Sequence, residues 1–290
     1  MFYKLCKYEF KSIIRTLGPI YLAVIAISIV NMFMGVGSMT NGYYDTLLNN
    51  FNFGKSLLNL VQMVSIFAYF GVMVALSVLT LIVIIQRFYK GLLCDEGYLM
   101  FTLPVKPWML ITAKGITAFV MSLASGLTAA ISIMLLILGA AGPGEFINAI
   151  TSPQLWMGIN RVFSEVPSWP LIAFELLVFA ILSGLSQLYH LYFAMAIGHL
   201  ANQHRIMLSA VAYIVTSIFF SFLSGFIMIL FGNGPFVDSL SSMINSMPNT
   251  QAVTFVMNMT FLASICYSLI KLVIFFFSTE RILSKHLNLE

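Results

Sequence analysis

Arg87-Phe-Tyr-Lys-Gly-Leu-Leu-Cys-Asp-Glu-Gly-Tyr-Leu-Met-Phe-Thr-Leu-Pro-Val-Lys-Pro-Trp108 separates two long apolar runs, Ser65 to Ile85 and Gly115 to Leu138. Arg87 and Lys90 open it, Asp95 and Glu96 lie in its middle, and Lys106 and Lys114 follow. Charges at this density do not sit in hydrocarbon, where each costs several kcal/mol. The stretch therefore reads as a loop at a membrane face, with a membrane span on either side. Its middle is apolar all the same, with Leu92, Leu93, Tyr98, Leu99, Met100, Phe101 and Leu103. Such side chains need a surface to lie on. Asp95 suits a helix N-cap, and Glu96 suits the first turn, where the helix dipole favours an anion. Pro104 pushes Leu103 out of the α region and ends the helix. The expectation is a short helix from Glu96 to Leu103, which either lies in the headgroup layer or docks a cytosolic partner.

Composition agrees with the spans. Of 290 residues 60% are hydrophobic and 8% charged, and the mean hydropathy is +0.97. Soluble domains carry roughly 25% charged residues. The chain reads as an all-α integral membrane protein. Its net charge of +4 follows topology, so the expected contact is membrane lipid and no nucleic acid. Cys6, Cys94 and Cys266 lie far apart and lack metal-ligand spacing, so neither a disulfide nor a metal site is expected. No cofactor is implied.

Residues 1–15 place Lys4, Lys7, Lys11 and Arg15 on one helical face, with Phe2, Leu5, Cys6, Phe10 and Ile13 on the other side. That is the pattern of an amphipathic interfacial helix. The remainder, 16–290, reads as a six-helix transmembrane domain with spans at about 17–34, 65–85, 115–138, 171–197, 206–231 and 253–277. The first run is too long for a signal peptide, whose apolar region covers about 7–15 residues. Gly35 to Leu60, Gly139 to Pro170 and Gly232 to Asn249 are expected as outer loops, the last with an amphiphilic middle suited to partial re-entry. Phe53-Gly-Lys-Ser56 resembles the end of a phosphate-binding loop, but position 49 is Asn where the motif needs glycine. No nucleotide-hydrolysing motif occurs.

The third span aligns Gly115, Ala118, Ser122, Ser125 or Gly126, and Ala129, small residues that permit close helix approach. The fourth is the most polar. Ser183, Gln187 and His190 share one face, with Ser186 nearby and Glu175 near the outer end. Polar groups at that depth are costly and face a bundle interior or a cavity, so these three are candidates for lining a substrate path. Interhelical hydrogen bonding is the plainer role for them. Lys271 lies near the inner boundary, where it can snorkel.

Orientation follows from the cations. With six spans and the N-terminus inside, inner segments hold eleven of the fourteen Lys and Arg, among them Arg87, Lys90, Lys106, Lys114, Arg205, Arg281 and Lys285. The outer segments hold Lys55 and Arg161 alone. By the positive-inside rule both termini are expected in the cytosol.

This arrangement resembles the permease subunit of type-2 ABC exporters. The residues that carry the resemblance are Glu96, Gly97, the run Leu99 to Leu103, Pro104-Val105, and Lys114 opening span three. Tyr98 stands where the family commonly has threonine. The resemblance implies that Asp95, Glu96, Gly97, Tyr98, Leu99, Phe101, Leu103 and Pro104 form a cytosolic coupling helix between spans two and three. It also implies a separate cytosolic ABC ATPase subunit as partner, and a second permease copy or a sister permease. The expected location is the cell membrane, of the bacterial plasma-membrane kind. The chain itself is not expected to be an enzyme. A membrane-embedded enzyme needs paired acids or a His/Glu cluster, and His190 lies about 22 Å along the helix from Glu175. A sensor or assembly subunit without transport is the other alternative.

Overall fold

Hydrocarbon offers a peptide group no hydrogen-bond partner, so a chain crosses it only as helices or as a closed barrel. This chain takes the helical solution. A computed structural model describes residues 2–33, 52–94, 97, 106–166, 168–201, 204–232 and 235–285, and none of these lies in a strand. The helices are α1 (Phe2–Phe33), α2 (Asn52–Phe88), α3 (Pro107–Ala141), α4 (Pro143–Thr151), α5 (Pro153–Glu165), α6 (Trp169–His199), α7 (Arg205–Gly232), α8 (Pro235–Asn245) and α9 (Asn249–Lys285). A π-helical turn, Tyr89–Leu93, continues α2.

Six of these elements are long and apolar enough to cross a membrane: Phe2–Phe33, Leu60–Leu93, Pro107–Ala141, Trp169–His199, Arg205–Ile227 and Gln251–Ser284. The protein is a multi-pass, all-helical membrane protein. Spanning takes about 20 residues, and five of the six run past 30. The surplus carries charge. Lys4, Lys7, Lys11 and Arg15 occupy the first half of α1 and are exposed. The basic segment and the first apolar run form one unbroken helix, with Pro19 inside it.

The stretches expected as outer loops are largely helical where they are described. The reason is the placement of proline. Pro107, Pro143, Pro153 and Pro235 each open a helix, and Pro170 is the second residue of α6. Proline at these positions loses nothing, because the first N–H groups of a helix have no partner within it and its fixed φ already suits the turn. Gly142, with φ of 80°, makes the break between α3 and α4, a conformation that disfavours other residues. Asn52 to Ser56, expected within a loop, is also helical.

The chain divides into two compact units, one of residues 3–84 with 120–158 and one of 85–119 with 159–290. In the first unit α1, α2 and α3 are joined by two hydroxyl relays. The Tyr21 hydroxyl meets Ser125 Oγ at 2.8 Å, and Ser125 meets Thr80 Oγ1 at 2.9 Å. Seven residues further along α1 and α3, Ser28 meets Ser132 at 2.6 Å, and Ser132 meets the Tyr69 hydroxyl at 3.0 Å. The relays are spaced about 10 Å apart along the helices. Positions rise together on α1 and α3 and fall on α2, so α2 runs antiparallel to both. Ile13, Leu17, Val83 and Met121 pack between the helices as the apolar core.

Where α1 meets α3, close approach depends on glycine. A Cβ on Gly139 would lie 2.6 Å from the Met32 Cα, whereas one on Gly126 would meet nothing within 4 Å. Gly139→Ala should therefore push α1 from α3 and lower thermal stability in detergent by about 1–3 kcal/mol. Gly126→Ala should leave it unchanged or raise it by up to about 1 kcal/mol through helix propensity. Equal melting of the two variants by fluorescence-monitored unfolding would contradict this packing.

Candidate functional site

The second unit holds the root of the Arg87–Trp108 loop. At Tyr89 the ladder of α2 widens into the π turn, and Gly91, Leu92 and Leu93 are buried there. A π turn has weaker hydrogen-bond geometry than an α turn and persists where its surroundings hold it. Lys114, two turns into α3 and buried, donates from Nζ to the Arg87 carbonyl at 3.2 Å. Gly91 leaves room for that ammonium, since a Cβ there would come within 2.5 Å of Nζ.

α6 secures the same root. Phe88 stacks on Tyr192 with ring centroids 3.9 Å apart and planes at 11°. The Tyr192 hydroxyl donates to the Lys114 carbonyl at 3.3 Å. Tyr89 meets His199 edge-on at 6.2 Å. His199 Nε2 lies 3.2 Å from Arg205 Nη1. A guanidinium only donates, so this imidazole nitrogen is the acceptor. Beyond the turn the Gly97 N–H donates to the Cys94 carbonyl at 2.7 Å. A Cβ at Gly97 would lie 2.6 Å from the Leu92 oxygen, so the chain passes its own turn as only glycine can. Of the expected coupling residues Gly97 alone is described. Asp95, Glu96, Tyr98, Leu99, Phe101, Leu103 and Pro104 lie outside the described residues.

Further along α6 a cavity of about 550 Å³ opens against α7 and α9. Ser183, Ser186 and Gln187 come from α6, Ser224 from α7, and Ser264, Tyr267, Ser268 and Lys271 from α9. Phe179, Ile227 and Ala263 supply the apolar part of the wall. Lys271 Nζ stands 5.5 Å from the Tyr267 ring centroid, 5.6 Å from that of Phe220 and 5.9 Å from that of Phe275. At such distances each ring face attracts the cation.

Ser183 and Gln187 thus share the cavity wall, as their common face suggests, and His190 does not join them. It is buried between Tyr213, at 4.5 Å and 26°, and Phe275, at 4.4 Å and 7°. Its Nε2 lies 2.7 Å from Thr216 Oγ1. The Thr216 hydroxyl already donates to the Ala212 carbonyl at 2.7 Å, so the imidazole N–H is the donor between them. Sequence reasoning placed Lys271 at the inner boundary and passed over Ser224, Ser264, Tyr267 and Ser268. A signal was present: Ser264, Ser268 and Lys271 repeat on α9 the 4-then-3 spacing of Ser183, Gln187 and His190 on α6. Glu175 Oε2 is buried without a hydrogen-bond partner among the described residues. Among the same residues no group of three His, Cys, Asp or Glu side chains could hold a metal ion.

No family model matches this chain, and no curated protein or solved structure matches it either.

The stack at the loop root gives a test. Tyr192→Ala removes a ring that is 1% exposed and should cost about 3–5 kcal/mol. Tyr192→Phe keeps the stack, loses one hydrogen bond, and should cost about 1 kcal/mol. With Cys6 and Cys266 replaced by serine, maleimide should label the half-buried Cys94 faster in the alanine variant and at the native rate in the phenylalanine variant. Unchanged labelling in both would show that Tyr192 does not hold the root.

Proposed function

We propose that this chain is the permease subunit of an ATP-driven exporter of the type-2 ABC kind, energised by a separate ATPase that docks on the Arg87–Trp108 loop. The observation that carries the reading is the double use of α6. One end of the helix, at Tyr192 and His199, holds the root of that loop. The middle, at Ser183 to Gln187, forms one wall of a hydroxyl-lined cavity within a helix apolar enough to span a membrane. A permease needs both a polar site at membrane depth and a rigid connection from it to the element that receives force.

In this reading the termini and the loop face the cytosol, which the bias of Lys and Arg toward those segments supports. The helix expected from Glu96 to Leu103 is the docking element, and its aromatic residues are the anchors, since buried aromatics dominate interface energies. A second permease, the same chain or a sister, completes the path. The absence of a phosphate-binding loop in this chain accords with an ATPase on another polypeptide.

Co-purification from native membranes tests this. A tagged wild-type chain should bring down an ATPase. Tyr98→Ala combined with Phe101→Ala should weaken the association by about thirtyfold or more, which empties the pull-down while membrane insertion persists. An intact complex with ATP-driven transport in the double variant would remove the docking role. Recovery of the wild-type chain without any ATPase would favour a sensor or assembly subunit.

A further inference from the structure

We infer that the cavity between α6, α7 and α9 binds an amphiphilic anion, a single carboxylate or phosphate borne on an apolar body, with Lys271 as its counter-charge. The inference deepens the proposed function, because it names the substrate class of that site.

Lys271 is costly where it stands. A cation inside a membrane-spanning helix is expensive and is normally paired with an acid. Here no carboxylate lines the cavity among the described residues. The aromatic rings around Nζ soften the ammonium's loss of water, but a ring face is a weaker partner than an anion. The ammonium carries three hydrogen-bond donors and accepts none.

Neighbouring groups add to the donors. Ser186 and Ser268 are 3% and 6% exposed, and among the described residues no hydrogen bond takes up their hydroxyls or the Gln187 amide. Four other buried hydroxyls behave differently: Ser28, Thr80, Thr117 and Thr279 donate to the carbonyl four residues back at 2.7–2.8 Å. A ligand that brings acceptors and one negative charge would engage Lys271, Ser186, Ser268 and Gln187 together. A cationic ligand would meet like charge with nothing to offset it. The rest of the lining, Phe179, Ile227 and Ala263, is apolar, which suits a hydrocarbon portion and gives a small hydrated anion little to hold.

Equilibrium binding to the purified full-length chain, with neither ATP nor the partner present, tests the inference apart from transport. The probes are dodecyl phosphate, dodecanoate, dodecyltrimethylammonium and inorganic phosphate, read by native mass spectrometry and by thermal stabilisation in a non-ionic detergent. Dodecyl phosphate and dodecanoate should bind and stabilise the protein, and the other two should not. Lys271→Gln should weaken binding of both anionic amphiphiles on the order of thirtyfold, from loss of a charged hydrogen bond. Ser268→Ala should weaken it by a smaller factor, and Lys106→Gln, at an exposed position, should leave it unchanged. Equal binding of the cationic and anionic amphiphiles to the wild-type chain would overturn the inference, whatever becomes of the variants. So would inorganic phosphate binding as tightly as dodecyl phosphate, or unaltered binding in a folded Lys271→Gln protein. Selective binding of the anionic amphiphiles stands even if no ATPase partner exists.

Discussion

Hydrocarbon supplies neither donors nor acceptors, and the arrangement of polar groups in this protein answers that single shortage. The backbone answers it by coiling into helices. Serine and threonine answer it locally, by donating to the preceding turn, as Ser28 does to Val24 and Thr80 to Leu76, each at 2.7 Å. Where helices meet, the hydroxyls go further and bond across: Tyr21 to Ser125 to Thr80, and Ser28 to Ser132 to Tyr69. Each such bond is modest in a membrane, around 1 kcal/mol. Two relays at separate depths fix the register of three helices in a way that apolar contacts alone cannot.

The second unit departs from that economy at one place. Lys271, Gln187, Ser186 and Ser268 collect around a cavity with donors unused among the described residues, whereas His190 on the neighbouring turns is bonded to Thr216 and stacked on both faces. The contrast separates a polar group used for packing from polar groups held open. The loop root is built in the first manner. The Lys114 ammonium, the Phe88–Tyr192 stack and the tight passage of Gly97 over Leu92 make it stiff. Tyr192 lies five residues from Gln187, about 7.5 Å along the helix axis. A displacement of the loop root therefore reaches the cavity wall through little more than one turn of α6, and in the proposed function that is the path of coupling.

Much of the fold was legible in the sequence because length and apolarity decide a membrane span almost alone. The runs expected from Leu17, Ser65, Gly115, Leu171, Ile206 and Val253 each begin within a spanning helix. Between the spans the sequence is harder to read at proline, which suits a loop as well as the first turn of a helix. Pro143, Pro153 and Pro235 start helices, and a first-turn proline looks the same in sequence as a loop proline unless the next turn is weighed too. For the cavity, a single helix could be read and a trio could not. Ser183 and Gln187 were visible as one polar face, but the partners on α7 and α9 depend on which helices pack together, and no periodicity encodes that. For Lys271, distance from the helix end suggests snorkelling but does not reveal the rings of Phe220, Tyr267 and Phe275 that surround the ammonium. The π turn left no sequence signature beyond Gly91 beside a lysine that arrives from another helix.

The central claim is that the loop root and the cavity move as one through α6. A cysteine-free chain carrying Ser268→Cys, assembled with the proposed ATPase in membrane vesicles, reports on this directly through the rate at which a polar maleimide labels position 268. The account predicts labelling several-fold faster or slower when the ATPase is trapped with ATP than when it is free of nucleotide, and loss of that difference when Tyr192→Ala is added. The same labelling rate in both nucleotide states would contradict it.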